Sequence, residues 1–495
     1  RLCRDWSSDV CSSDLVTLYY LHRYLEFLET LMSEAKGEFE ISEEVVQMLE
    51  GIYRVFSDHS SSLNQAISDE MKFSVVSQLG TIGESYRNAI YANGFTAVKS
   101  SLSVKKITAF IEISKSFLKD TIVKNRREDG LYNAYNLLAF SKNACHVTPL
   151  YEMLEGQVAV LSSKALSTGE VLSVLKALRN SAMYRADQDS YMLYPNRSLP
   201  KFLEKNVIPE ASIKGSYVLD TEIKKGHTRF VVRDIHGKYH FNGQFRNGDE
   251  LLEAILATGE YADEEAKLAA EVFTAIFNHH AFTGRSGTFY KYEGLGCIYW
   301  HMVSKLVLVT QECFYDAVAK EGLSEEVAHL ADYFNALKAG IGVDKSPVAY
   351  GAFPTDAYSH TPGFAGVQQP GMTGQVKEDI LTRFNELGVI VKNGEIHFEP
   401  LLLAESEMLK APCAWELPSG SIELEANQLG FTLASVPIIY SAVDERGIVV
   451  YYKNGDCFKF EETTKLKREI SESLFSRIGD IDKIVVNVDI RKFHL

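Results

Sequence analysis

The sequence predicts a mainly α-helical protein, a helical barrel followed by a C-terminal antiparallel β-sandwich module. Three observations support this prediction. Apolar residues recur at intervals of three and four over most of residues 16–388, and the spacing changes to alternation over residues 389–495. The sequence lacks a self-similar repeat of roughly 20 to 50 residues, which argues against an ordinary solenoid. Consecutive amphipathic helices must bury their apolar stripes against one another, which favours a closed barrel.

The first fifteen residues differ from the rest of the chain. They read RLCRDWSSDVCSSDL, a polar stretch with a near-repeat and without the layout of a signal peptide. The string resembles translated sequencing-adapter sequence joined to an open reading frame, as in a truncated metagenomic fragment. We expect residues 1–15 to be a non-native or disordered leader that carries no function.

Residues 16–388 form the predicted helical domain. Its first helix is marked by leucines at positions 18, 21, 25, 28 and 31, and Ser42 and Ser167 are predicted N-caps. Further helices are predicted at residues 62–72, 74–93, 105–124, 131–141, 150–162, 168–181, 248–256, 263–277, 298–319, 325–339 and 375–387. A small β excursion at residues 212–247 interrupts them, with strands at 217–219, 229–232 and 239–241.

Residues 389–495 form the predicted β domain. Alternating apolar residues mark strands at residues 389–391, 396–398, 421–425, 431–433, 436–440, 448–452, 456–460 and 484–488. The dipeptides Asn393-Gly394, Arg446-Gly447 and Asn454-Gly455 predict hairpin turns. Before this domain, residues 342–374 are rich in Gly, Pro, Thr and Tyr, and such a long irregular segment usually carries function.

Charge and composition exclude several classes of function. The chain has 51 Lys and Arg residues against 66 Asp and Glu, a net charge of −15, so we expect neither nucleic acid nor a membrane as a partner. No apolar run approaches the roughly 18 residues of a membrane span. The seven cysteines form no CxxC pair, which favours a cytoplasmic location and no metal site. The sequence contains no nucleotide-binding motif. A homodimer is left open as an oligomeric state.

Two tyrosine-rich polar segments offer groups for sugar recognition, because carboxylates accept hydrogen bonds from hydroxyls and aromatic rings stack on pyranose faces. In residues 125–136, Asp129 precedes Tyr132 and Tyr135, which the predicted helix 131–141 places on one face. Residues 184–197 contain Arg185, Asp187, Asp189 and Tyr191. The simpler alternatives are an N-cap at Asp129 and a surface loop of ion pairs at residues 184–197.

Two later segments offer groups that bind anions. Residues 279–301 contain Arg285 and Glu293, then two glycines, and end at Trp300 and His301 where a helix begins. Residues 350–375 contain His360 and end at Thr373 and Gly374, the start of another helix. Open backbone N–H groups at a helix start favour an oxyanion. The simpler alternative for His301 is a core histidine whose hydrogen bonds are all made within the protein. The simpler alternative for Thr373 and Gly374 is the start of an ordinary capped helix.

Three short motifs follow one another over residues 285–400. Gly296-Cys297-Ile298-Tyr299-Trp300-His301 opens one apolar helix, Met372-Thr373-Gly374 opens another, and Leu387-Gly388-Val389 leads to a β segment ending in Phe398-Glu399-Pro400. Their order and spacing resemble the end of the catalytic domain in cellobiose-phosphorylase-type inverting glycoside phosphorylases. The resemblance implies an (α/α)6-toroid-like barrel with β-sandwich modules. It also implies that His301 and Thr373 bind phosphate, although Gln375 replaces a second hydroxyl residue usual in the family.

The resemblance implies a carbohydrate-active enzyme that cleaves a glucoside-like bond with inversion, by phosphorolysis. Its substrates are then a disaccharide or oligosaccharide and inorganic phosphate, with no cofactor. Inverting hydrolysis needs a second carboxylate as base, whereas phosphorolysis replaces that base with a phosphate pocket. An inverting glycoside hydrolase on the same scaffold and a non-catalytic glycan-binding protein stay open as alternatives.

These arguments assign candidate site residues. The candidate acid is Asp187 or Asp129, and Glu293 is a candidate sugar-binding residue or base. The candidate substrate-binding residues are Tyr132, Tyr135, Arg185, Asp189, Tyr191 and Trp300. The candidate phosphate-binding residues are Arg285, His301, His360, Thr373 and Gly374.

Overall fold

The computed structural model describes residues 12–195, 202–277, 297–341, 345–346, 360–362, 373–443 and 445–489. At residues 12, 13, 202, 297, 360–362 and 373–375 the backbone alone is described. The chain divides into two compact units. The smaller one includes Pro195–Gly296, and the larger one joins Ser13–Tyr194 to Cys297–Leu495.

The helices and strands follow the chain in this order. The described α-helices are α1 Leu15–Glu34, α2 Glu43–Asp58, α3 Asp69–Asn93, α4 Val104–Lys124, α5 Leu154–Ser162, α6 Thr168–Arg179, α7 Phe202–Lys205, α8 Glu210–Gly215, α9 Tyr217–Lys224, α10 Gly248–Leu256, α11 Asp263–Phe277, α12 Trp300–Glu321, α13 Glu325–Ala339, α14 Thr373–Glu386 and α15 Arg468–Ser476. The described strands are β1 Ser12–Asp14, β2 Glu38–Ser42, β3 Lys99–Ser103, β4 Tyr135–Ser141, β5 Ala144–Pro149, β6 Tyr184–Arg185, β7 Ser190–Tyr191, β8 Val231–Arg233, β9 Tyr239–Phe241, β10 Cys297–Tyr299, β11 His360–Pro362, β12 Val389–Lys392, β13 Glu395–Phe398, β14 Cys413–Leu417, β15 Gly420–Leu424, β16 Gln428–Leu433, β17 Val436–Ala442, β18 Gly447–Tyr452, β19 Cys457–Glu461 and β20 Ile481–Val488.

Helices α1 and α5 lie side by side and run in the same direction. Ala134 connects their first turns, since its carbonyl accepts a 3.1 Å hydrogen bond from Leu15 N and its backbone lies against Gly156. Further along, the His22 ring contacts the Ser163 carbonyl through Nδ1 at 2.8 Å, just after α5 ends. Because both contacts join corresponding ends, the two helices are parallel.

The same direction continues through α12. Residues 192–193 connect the first turns of α5 and α12, because Leu154 N donates to the carbonyl of Leu193 at 2.7 Å and Met192 pairs with Ile298. Near the other end, Cys313 Sγ lies 3.5 Å from the Leu161 carbonyl. Helix α12 is therefore parallel to α5.

Helix α14 is parallel to α12 as well. His301 and Glu378, near the two starts, lie 3.4 Å apart, and the Tyr315 hydroxyl donates to the Asn385 carbonyl at 2.6 Å near the two ends. Helices α1, α5, α12 and α14 thus form a row of four parallel neighbours, called the parallel row below. Its partial positive helix ends all lie on one side, the N-terminal face.

Other helices return antiparallel to this row. The end of α4 lies near the start of α1, because Asn133 N donates to the carbonyl of Asn125, just after α4, and the Tyr19 hydroxyl of α1 donates to the Asn133 carbonyl at 2.7 Å. Further along, Lys115 of α4 binds Glu26 and Glu29 of α1 at 2.7 and 2.6 Å. Helices α6 and α13 follow α5 and α12 through short connections and pack against each other. The structure is compatible with the predicted helical domain.

The two outermost helices of the row keep apolar side chains exposed. On α1 these are Tyr20, Tyr24, Phe27 and Leu31, and on α14 they are Val376, Ile380 and Phe384. Both sets recur at intervals of three and four, so each forms a stripe along one face of its helix. The toroid stays a prediction.

The predicted helix at residues 131–141 is wrong. Residues 135–141 form β4, which pairs antiparallel with β5, and Tyr132 pairs with Arg126 in an isolated bridge. Tyr132 and Tyr135 therefore share no helical face. The physical reason is local, because the chain turns back after Ser141. Leu137 and Leu138 face opposite sides of the sheet that β4 forms with β1 and β5, instead of lying on one helical stripe.

The smaller unit is mostly helical, with one hairpin formed by β8 and β9. The expected strand at residues 217–219 is wrong, since these residues begin α9, where the Ser216 hydroxyl accepts from Leu219 N at the N-cap. Its core contains Phe230, Phe241 and Phe273. The fully buried carboxylate of Glu222 binds Arg229 within the same unit.

The C-terminal domain contains a five-stranded sheet in the order β16-β17-β20-β18-β19. The expected antiparallel arrangement needs correction, because β20 is parallel to β17 and antiparallel to β18. Helix α15 carries the chain back so that the last strand lies between two earlier ones. Asn393-Gly394 and Asn454-Gly455 do connect paired strands, whereas Arg446-Gly447 precedes a strand that does not pair with β17.

A close backbone contact joins the helical part to this domain. Gly388 has a φ of 63°, and a Cβ at this position would lie 2.0 Å from the Glu399 carbonyl carbon and 2.2 Å from Pro400 N. Glu399 N donates to the Gly388 carbonyl at 2.8 Å. The motifs Leu387-Gly388-Val389 and Phe398-Glu399-Pro400 are thus two sides of one contact, which requires glycine.

Candidate functional site

The candidate site lies at the N-terminal face, where three short segments meet. The β6–β7 hairpin leads to Met192, which pairs with Ile298, and β10 pairs with β11 so that Tyr299 lies opposite His360. The first residues of α12 are therefore flanked by segments that are far apart in the sequence. The structure brings together residues 184–192, 297–301 and 360–362.

Asp189 is the centre of one cluster in the hairpin. Its Oδ1 accepts from Arg179 Nη1 at 2.9 Å and from the Tyr184 hydroxyl at 2.7 Å. The guanidinium of Arg179 lies 3.8 Å from the centre of the Tyr184 ring. The centres of the Tyr184 and Tyr191 rings are 5.3 Å apart. Burial raises the pKa of Asp189, but the hydrogen bonds from Tyr184 and Arg179 outweigh it, so the pKa is lowered.

Asp187 lies at the exposed tip of the same hairpin. Arg185 Nε donates to its Oδ1 at 3.1 Å, and Arg185 Nη2 pairs with Oδ2. The hydrogen bond from Arg185 lowers the pKa of Asp187. This geometry favours the ionised carboxylate, whereas a general acid must hold a proton at working pH. The role of Asp187 as acid stays a prediction.

Lys345 is a charged residue of this face that the sequence reasoning missed. Its ammonium donates to the carbonyl of Gln188 and lies 5.1 Å from the centre of the Trp300 ring. Burial lowers the pKa of Lys345 to about 8, although Asp189 and Asp187 act in the opposite direction. The sequence signal was its place in the irregular segment 342–374.

Several predicted aromatic residues are packed into the core. Trp300 is fully buried at the first position of α12, and Tyr132, Tyr135 and Tyr191 are buried as well. The Tyr135 hydroxyl donates to Glu155 Oε2 at 2.8 Å. Stacking of these rings on a sugar stays a prediction, since packing alone accounts for their positions.

Asp129 lies in a tight loop rather than at a helix start. It accepts from Leu131 N at 3.0 Å and from Arg127 Nε at 3.0 Å, and Arg127 also binds Glu152 at 3.2 Å. The N-cap alternative for Asp129 does not apply, because β structure follows instead of a helix. Asp129 is exposed, so its side chain remains accessible.

His301 lies in the first turn of α12, beside α14. Its Nε2 is 3.4 Å from Glu378 Oε2, and its ring meets the Tyr299 ring edge-on at 5.8 Å. Burial and Lys305 lower the pKa of His301, and Glu378 raises it in opposition. A partly buried histidine with a carboxylate near one ring nitrogen can present the other nitrogen to an anion.

Carboxylates of α5, α12 and α14 influence the pKa of Tyr20 on α1. Burial raises the pKa of Tyr20, Arg23 opposes this, and the charges of Glu312, Glu155 and Glu378 add to it. Arg23 binds Glu312 through both terminal nitrogens, at 2.9 and 3.2 Å. Sequence reasoning missed these residues because they lie within ordinary amphipathic helices.

The remaining predicted residues lie at or beyond the limits of the described part. Arg285 and Glu293 fall outside the described residues. His360 is in β11, and Thr373 and Gly374 begin α14, with the backbone alone described. The register of β11 against β10 and the parallel packing of α14 on α12 bring all three backbone positions to the N-terminal face.

One comparison with known proteins gives a match. Residues 199–280 match the GH149 phosphorylase insertion domain 2. The match runs from the segment before α7 to just after α11, within the smaller unit. It supports membership of a glycoside phosphorylase family and a role in carbohydrate metabolism, without specifying the cellobiose-phosphorylase type. No curated protein matches the chain.

Proposed function

We propose that this protein is a glycoside phosphorylase that cleaves a glucoside-like bond with inversion, using inorganic phosphate as the attacking group. The observation that carries the proposal is the match of residues 199–280 to a phosphorylase insertion domain. The substrate is a disaccharide or an oligosaccharide. The site is the N-terminal face of the parallel row.

Electrostatics of this face support an anionic co-substrate. Four parallel helices direct their partial positive ends to it, and His301, Lys305, Lys345 and Lys377 add cationic or titratable nitrogen groups nearby. In phosphorolysis, such groups replace the second carboxylate that a hydrolase uses to activate water. The face therefore suits phosphate better than water as the nucleophile.

The reaction transfers one glycosyl group. A phosphate oxygen forms a bond to the anomeric carbon while the bond from that carbon to the glycosidic oxygen breaks. The leaving oxygen takes a proton from a carboxylic acid, which later regains one from solvent. The product is a sugar 1-phosphate of inverted configuration. Asp187, Asp129 and Glu293 remain the proposed carboxyl groups, and the ion pair of Asp187 with Arg185 must open before Asp187 can hold that proton.

An inverting hydrolase on the same scaffold is the second candidate. The two reactions differ in their need for phosphate. The test is release of sugar from a panel of α- and β-linked gluco-disaccharides by the full chain, with and without phosphate. Sugar 1-phosphate formed only with phosphate supports the proposal. Free sugar in both conditions supports the hydrolase, and tight sugar binding without release supports a glycan-binding protein.

A variant test locates the phosphate site. His301→Ala is expected to raise the KM for phosphate by roughly 10- to 100-fold, because it removes one charge-assisted hydrogen bond. The KM for the sugar is expected to change little. His329→Ala, at an exposed histidine of α13, is the matched control and should leave both constants unchanged.

A further inference from the structure

Glu378 is a buried carboxylate that the proposed reaction does not use directly. It lies in the second turn of α14 and is 4% exposed. Its Oε2 faces His301 Nε2 at 3.4 Å, and its Oε1 is 3.6 Å from Lys377 Nζ. Within the described part of the chain, neither Glu378 Oε2 nor His301 Nε2 makes a hydrogen bond. Burying a carboxylate without a hydrogen bond costs free energy of folding. A small rotation of the His301 ring would allow Nε2 to donate a hydrogen bond to Glu378 Oε2.

The pairing determines which nitrogen of His301 a ligand can reach. Nε2 is buried against Glu378, while the side chain as a whole is 20% exposed. Nδ1 is then the nitrogen left for a ligand at the N-terminal face. A carboxylate that accepts from one ring nitrogen fixes the tautomer and increases the basicity of the other, as in metal sites where histidine is oriented in this way.

The charges that act on His301 come from two helices. Lys305 lies on α12, and Lys377 and Glu378 lie on α14. The two lysines oppose protonation of His301, and the Glu378 carboxylate favours it. An oxyanion bound at the same face would, like the Glu378 carboxylate, favour the protonated form of His301.

We infer that Glu378 is a positioning residue of the phosphate site, which accepts a hydrogen bond from His301 Nε2 and thereby presents Nδ1–H to the oxyanion. The inference rests on the proposed function for the identity of the anion. Glu378 does not touch the phosphate itself. Its loss should weaken phosphate binding through the protonation of His301 rather than through a lost contact.

The test uses the full chain with ¹⁵N-labelled histidine and inorganic phosphate as the probe. The His301 signal is identified by its absence in His301→Asn, and its titration is followed by NMR. Phosphate affinity is measured by calorimetry from pH 5.5 to 8.5. In Glu378→Gln, His301 should titrate at lower pH than in the parent chain, because the charge that favours its protonation is gone. Phosphate affinity at pH 7 should fall about tenfold, and the loss should grow as pH rises.

The matched control is Glu386→Gln. Glu386 is a buried carboxylate on the same helix, but it pairs with Lys338 and Arg383 instead of a histidine. It should leave both the His301 titration and the phosphate affinity unchanged. Glu378→Asp keeps the negative charge, so it should retain part of the influence of Glu378 on the His301 titration and on the phosphate affinity. This variant provides a second test if Glu378→Gln folds poorly.

Two failures can be told apart. If the parent chain binds no phosphate at any pH, the proposed function loses its co-substrate. If the parent chain binds phosphate, but Glu378→Gln and Glu378→Asp leave the His301 titration and the phosphate affinity unchanged, the positioning role is overturned while the proposed function stands.

Discussion

The buried Glu222 of the smaller unit gives the sharpest stability prediction. Its side chain is fully buried, and Arg229 binds both oxygens at 2.7 Å, with Tyr261 and His227 as further partners. Burial alone would raise the pKa of Glu222, but the hydrogen bonds from Arg229, Tyr261 and His227 outweigh it and lower the pKa to about 2. The carboxylate is therefore strongly stabilised in its ionised form.

The magnitude follows from this shift. A change from 4.5 to about 2 corresponds to roughly 3 kcal/mol, at about 1.4 kcal/mol per unit. Arg229 is 32% exposed, so water screens the pair, and about 2 kcal/mol is the expected contribution. Because the folded pKa is lowered, this stability is present above pH 4.5 and is lost as the pH falls toward 2. Glu222→Gln should remove it at pH 7.

The assay is amide hydrogen exchange of the full chain, read from peptides that cover α9 and β8. Glu222→Gln should speed exchange there by about 30-fold at pH 7, and the difference should shrink below pH 4. Glu260→Gln is the control. Glu260 binds the same Arg229 at 2.7 Å but is 40% exposed, so its loss should speed exchange much less than the loss of Glu222. Equal effects of the two variants, or a Glu222→Gln effect independent of pH, would refute the reasoning.

Two further predictions concern the larger unit. Gly388→Ala should lower the free energy of unfolding by more than about 2 kcal/mol in urea titrations, because its Cβ meets Glu399 at 2.0 Å and its φ is positive. Gly455→Ala has a positive φ but open space, so about 1 kcal/mol is expected, and equal losses would argue against the clash. Lys345 should be acetylated with a midpoint near pH 8 in mass-spectrometric rate measurements, well below that of Lys459, whose pKa is raised by Glu461. Parallel pH profiles for the two lysines would contradict the burial of Lys345.

Local periodicity predicted much of the secondary structure. The helices at residues 248–256, 263–277 and 325–339 were predicted with the bounds that the structure has, and most C-terminal strands lie within a few residues of their predicted positions. These segments have one clear apolar face each, so the pattern within ten to twenty residues is sufficient. The prediction for the segment 131–141 failed because its apolar residues alternate between the two faces of a β-hairpin instead of lying on one helical face.

Features that depend on distant residues could not be predicted in this way. The parallel pairing of β20 with β17 depends on how α15 crosses the sheet, which leaves no mark in the strand itself. The approach of Glu378 to His301 joins helices separated by more than fifty residues. The resemblance placed His301 and Thr373 in one site, but it gave no reason to consider Lys345, Glu155 or Glu378.

The most direct test of the proposed function is a ³¹P and ¹H NMR time course. The full chain is mixed with inorganic phosphate and a gluco-disaccharide that it cleaves in the panel assay. Inverting phosphorolysis predicts a growing sugar 1-phosphate signal, equal in amount to the free sugar released, with the anomeric configuration opposite to that of the substrate bond. Release of two free sugars with the inorganic phosphate signal unchanged would contradict it.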